Sequence, residues 1–341
     1  MKTALKVTAL AGLLAGALLA GGTASAHQWG SWHWNKGGST VTIGIWDTTT
    51  YRTESSAAIN EWDSKTLLSL PRTSSHSDIS QFDGNYGATG YGGLAEIINY
   101  SGSHITHGHS RLNYYYSYDS NGKRGVFCQE VGHLFGLTHS NDGCMGAGYF
   151  NNSYNVVQHN VDDIYNMYRY HTVTAAAGNP AGAAAAPTAF HAVWYRNPAT
   201  AQEAYGMSPL AVIGTVKSVA PAADIVVPAK GEPGGVDRVP NQTITIAVQD
   251  TLKGTATHEI QVYHTGTNDR FADGDPAYAV GQQVVLFLAE TRADGRYVLV
   301  SPEGRFVVSN GTVQPLSERP GLAVTQGQSL TAFRAALAAG K

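Results

Sequence analysis

The chain has 341 residues, 43% hydrophobic and 14% charged, which is enough to bury a real core and to fill about two domains. A disordered chain is excluded. The formal net charge of -3 gives no electrostatic basis for nucleic acid or an anionic membrane surface as partner, and leaves small or neutral partners open.

Taken in chain order, residues 1–26 read as a secretory signal. Lys2 and Lys6 supply positive charge, 9–20 is an apolar run, and Ala24-Ser25-Ala26 is a small-residue cleavage site, so a mature chain starting at His27 is expected. The apolar run is short for a bilayer span and nothing later replaces it, so a secreted, extracellular product is expected. Export puts Cys128 and Cys144 where a disulfide persists. They are expected to pair; the alternative is two buried thiols.

Residues 41–46 alternate like a strand, and 55–70 carry Ala58, Ile59, Trp62, Leu67 and Leu70 at helical intervals. Beyond a Gly-rich stretch, 94–98 and 104–116 read as strands, 125–137 as a second helix and 161–170 as a third. Residues 172–188, rich in Ala, Gly and Pro without periodicity, form a linker. This gives a first domain over 27–171, holding ten of the 13 histidines, and a β-rich second domain over 189–341. Strands are expected at 210–219, 243–248, 259–263, 283–288, 297–300 and 305–308, making a small barrel or sandwich closed by a helix at 330–339.

The chemistry concentrates in residues 128–145. Gln129 and His133 stand four apart, so on a helix both face one way and can converge on one ion, with Glu130 beside them. Gly136 can take a positive φ and turn the chain, bringing His139 to the same ion. Such a set leaves a coordination position for water. A neighbouring carboxylate can take that water's proton while the metal polarises a carbonyl, which is peptide hydrolysis in outline.

The segment Cys128-Gln129-Glu130-Val131-Gly132-His133-Leu134-Phe135-Gly136-Leu137-Thr138-His139, with Cys144-Met145 behind it, resembles the metzincin signature H-E-x-x-H-x-x-G-x-x-H and its methionine turn. It is also similar to a group of secreted bacterial matrixin-like proteins with C-Q-E-x-G-H-x-x-G-L-x-H and a downstream C-M. The resemblance covers 27–171 and implies an α+β zinc protease domain acting on protein or peptide substrates. Zn2+ would be bound by His133 and His139, with Glu130 as the catalytic base and Met145 as a floor beneath the metal. Gln129 departs from the pattern, which has histidine there. Either the carboxamide coordinates weakly, another group substitutes (Asp142, His104, His107 or His109), or the site has lost its metal. The last option makes the chain a pseudoprotease that binds peptides without hydrolysing them.

A Cys128–Cys144 bridge would enclose 15 residues and tie the active-site helix to the methionine turn. Gly92-Gly93-Leu94-Ala95 and Leu112-Asn113-Tyr114 stand where matrixin-like domains carry strands above the cleft, and an edge strand there would pair with an extended peptide. His107 and His109 share a strand face, so His104, His107 and His109 are either a polar face or a second, structural ion site. Trp29, Trp32, Trp34 and Tyr114, Tyr115, Tyr116 are expected to be packing and surface aromatics. Residues 161–168 resemble the last helix of such domains. The second domain resembles OB-type barrels of the netrin and metalloprotease-inhibitor kind, which suggests substrate binding, anchoring or self-regulation.

Overall fold

A computed structural model of the chain describes residues 27–146, 154–173, 190–317 and 319–340. Residues 1–26, read above as a secretory signal, and most of the expected linker lie outside the described residues.

The first part runs through β1 (His33–Trp34), β2 (Val41–Thr42), β3 (Ile45–Asp47), α1 (Arg52–Lys65), β4 (Leu68–Ser69), β5 (Ile79–Gly84), β6 (Tyr91–Ser101), β7 (His104–Asn113), α2 (Ser120–Leu134) and α3 (Gln158–Tyr168). The second part adds β8 (Phe190–Trp194), α4 (Ala201–Met207), β9 (Leu210–Pro228), β10 (Val236–Lys253), β11 (Glu259–Thr265), β12 (Gln283–Thr291), β13 (Tyr297–Leu299), β14 (Arg305–Ser309), β15 (Thr312–Pro315), α5 (Pro320–Ala323) and α6 (Leu330–Ala339). The helix expected at 55–70 ends at Lys65 because Thr66 turns extended, which frees Leu68 and Ser69 to pair with Val41 and Thr42.

One sheet has the order β3-β5-β7-β6-β8, with β1 paired to β7. β3, β5 and β7 run parallel, whereas β6 is antiparallel to both neighbours. Helix α2 lies across β6, β7 and β8 and packs on α1. Its position follows from its sequence. Asp119 caps the N-terminus by accepting from Gly122 N at 2.7 Å, and every residue from Gly125 to Leu134 is buried. Gly132 has no room for a Cβ because Met145 Sδ fills that space. The carbonyls left open at its C-terminal end are satisfied from elsewhere in the fold, by Trp34 Nε1 to Leu134 O at 2.7 Å and Tyr168 Oη to Phe135 O at 2.7 Å.

The domain boundary read from the sequence needs one correction. β8 lies beyond the linker, yet it pairs with β6, from Tyr91 opposite Trp194 to Glu96 opposite Phe190. Its apolar residues Phe190 and Ala192 find their partners in Tyr86, Tyr91 and Leu94 of the first part, and that burial outweighs proximity along the chain.

Strands β9, β10, β11, β13 and β12 close into a five-strand ring in that order, with β12 paired back to β9. The β11–β13 pair is parallel and the other pairs are antiparallel. Alternation sorts the side chains of β9: Val212 joins the cluster with Ile244, Val262 and Leu286, while Ile213 joins Phe287, Phe306 and Phe333 under α4 and α6. β9 and β10 run well past the expected 210–219 and 243–248. Their outer halves leave the ring, and Val227 and Val239 pack on Tyr86 and Tyr91.

Cys128 and Cys144 are bridged. Replacing both with Ser should lower unfolding stability by about 3 kcal/mol, the loop-closure value for a loop of this size. A urea midpoint measured against the native chain checks this. Among the described residues, no helix is long and apolar enough to cross a membrane.

Candidate metal centre

The last two turns of α2 carry Gln129, Glu130 and His133, all fully buried. Phe135 caps the helix, and Gly136 at φ 98° reverses the chain as expected. Trp29 N donates to Gly136 O at 2.7 Å and holds the turn. His139 then comes back against His133, with ring centroids 5.0 Å apart.

A third imidazole arrives from β8. The His191 ring stacks on that of His133 at 3.6 Å and stands edge-on to His139 at 4.3 Å. Ring nitrogens of His133, His139 and His191 all lie within 4.8 Å of one another. His133 Nδ1 donates to Leu137 O at 2.8 Å, which leaves the Nε2 lone pair free. That Nε2, His139 Nε2 and His191 Nδ1 are buried without a hydrogen-bond partner. Burial and the adjacent His139 hold His133 well below the usual imidazole range, and burial and Arg319 bring His139 to about 4. His191 is lowered by burial, His133 and His139. Three neutral imidazoles with orphaned lone pairs at one point are the donor set of a transition-metal ion such as zinc. The residues therefore fit the metal.

Glu130 sits under the sheet, close enough to Gly93 that no Cβ fits there. Burial pushes its carboxyl well above the usual range, opposed by the backbone at Val193 and Ala95. Gln129 is buried beside it. Its Nε2 donates to Gly146 O at 3.3 Å, and its Oε1 has no hydrogen-bond partner. Met145 is buried beneath Gly132.

The sequence put Asp142, His104, His107 and His109 forward as substitutes for the missing histidine, but each is engaged elsewhere. Asp142 pairs with His159 at 2.8 Å, His104 groups with His33 and His171, and His107 groups with His76 and Glu232. His109 pairs with Glu232 and Asp237. His191 was not found by sequence reasoning. The only trace was one polar residue in the apolar, strand-like run Phe190-His191-Ala192-Val193-Trp194. Trp29, Trp32 and Trp34 are core, and Tyr114 and Tyr115 are exposed, as expected.

A cleft of about 650 Å³ opens beside the centre, lined from the first part by His139, Ser140 and Asn141 and from the second by Asp273, Glu303 and Arg319. β6, which the sequence marked as the edge for a peptide, is covered there by β8.

Neither a protein-family model nor a curated protein matches the chain. Among solved structures, the structure of myroilysin is similar, with a TM-score of 0.24 and 19% sequence identity over 33% of this chain and 54% of that chain. The chain thus spans about half the length of the structure it matches. A likeness of that size carries no functional argument, so a functional reading rests on the residues of the centre.

Proposed function

We propose that the chain is a secreted zinc-dependent endopeptidase that hydrolyses internal bonds of protein or peptide substrates. The observation that carries this reading is the meeting of His133, His139 and His191, each with one buried ring nitrogen left without a partner, on and against the helix that also carries the buried Glu130. In this reading they hold the ion, and His191 supplies the imidazole that Gln129 does not. Bound zinc contributes Lewis-acid polarisation of the scissile carbonyl. Glu130 takes the proton from the attacking water and returns it to the leaving amine, and Met145 supports the floor. The resemblance of residues 128–145 to the metzincin signature supports reading the first part as a member of that class. The five-strand ring, with its single parallel pair, supports an OB-type reading of the second part.

The purified protein should hold zinc and hydrolyse casein, and a chelator should abolish hydrolysis. Protein without zinc after loading would overturn the reading. One observation favours a second reading: β8 fills the edge on which an extended substrate would pair, and Glu130 is fully buried beneath it. In that case the chain is a pseudoprotease that keeps the metal without turnover. Zinc-loaded protein inert toward casein would support the second reading, and chelator-sensitive hydrolysis supports the first.

A further inference from the structure

We infer that a second divalent ion, zinc by its ligand chemistry, is held by His76, His107 and Glu232, and that it clamps the β9–β10 hairpin onto the first part of the chain. This proposal does not depend on the reading of the first centre. Glu232 lies at the tip between β9 and β10, where the chain rides over Trp46 so closely that Gly231 has no room for a Cβ. The tip thus brings a carboxylate from the second part to two histidines of the first. One ligand atom from each of His76, His107 and Glu232 falls within 4.8 Å of the others.

The surroundings are arranged as around a metal. His107 is buried, and its Nδ1 donates to Ser77 O at 2.9 Å, which fixes the tautomer and leaves Nε2 as a ligand lone pair. His109 acts as a positioning residue. Its Nε2 lies 3.2 Å from Glu232 Oε2 and its Nδ1 3.4 Å from Asp237 Oδ1, so the ring stands between the two carboxylates and steadies the first of them. The same Nε2 is 3.1 Å from His107 Nε2. With Oε2 held in this way, Oε1 remains, buried and without a hydrogen-bond partner, 3.6 Å from His76 Nδ1. Two imidazoles and a carboxylate suit zinc, with a fourth position left to water on the exposed side, where His76 sits.

The test is zinc stoichiometry by elemental analysis, after dialysis against buffered zinc, on the full chain and its variants. The native chain should bind two equivalents, and His76→Ala and Glu232→Gln should each bind one. His76 is half exposed, so its replacement leaves the fold intact, and Glu232→Gln preserves shape. Metal content in both variants equal to that of the native chain overturns the proposal. His133→Ala separates the two centres. Zinc lost in His133→Ala but kept in His76→Ala leaves only the first centre, whereas the reverse leaves only the second.

Discussion

Glu130→Gln is expected to lower peptide hydrolysis by roughly two to four orders of magnitude, the range for a positioned general base, while zinc content and melting temperature hold. The amide keeps the shape of the carboxylate in a site with no spare volume, between Gly93 and the α2 backbone. It cannot accept a proton. The three imidazoles lie on other residues, so the ion stays, and a loss of turnover reports on the base and not on the metal. Folding should not suffer either, because an uncharged amide is cheaper to bury than a carboxylate. Hydrolysis at the native rate in this variant would remove Glu130 from the mechanism. Alanine is a poorer choice, since it would open a cavity under β6.

The second large effect is on stability. Asp237→Ala is expected to cost about 3–5 kcal/mol, the range for breaking a buried ion pair on one side. Arg111, on β7, has no exposed side-chain surface. Its Nε and Nη2 donate to the two oxygens of Asp237 at 2.6 and 2.7 Å, and Nη2 also donates to Glu96 Oε2 at 2.6 Å. Tyr86 Oη donates to Asp237 Oδ2 at 2.9 Å. Asp237 comes from β10, so this network joins the two parts of the chain through their common core. Removing it leaves a buried guanidinium with Glu96 as its one remaining carboxylate partner, which Arg270 shares at 2.8 Å. Urea unfolding of the zinc-loaded protein measures the loss. A change below about 1 kcal/mol, the level of a surface pair, would show that the network does not hold the parts together. Adding Arg111→Met should restore part of the loss, because neighbours in one network are not additive.

Much of the centre was legible in the sequence because its first half is local. Glu130, His133, Gly136 and His139 fall within ten residues, and helix geometry followed by one positive-φ glycine fixes their relation before any tertiary contact forms. The Cys128–Cys144 bridge was legible for a similar reason: the sequence holds two cysteines, so each has one candidate partner within the chain. Helix α6 begins and ends where its pattern says, since Ser329 caps it by accepting from Ala332 N at 3.1 Å.

Periodicity did not reveal which strands would join across the linker. The second part read as a self-contained β unit, yet β8 leaves it to pair with β6, and β9 and β10 run on to bury Val227 and Val239 against the first part.

The sequence by itself determined the α2 motif, its turn, the bridge and the alternation of the barrel strands, all of which depend on residues a few positions apart. Only the tertiary structure decided that His191 meets His133 and His139, that Glu232 reaches His107, and that β6 has no free edge. Those meetings are set by the burial of apolar faces between distant segments, and such long-range pairing leaves no spacing in the chain to be read.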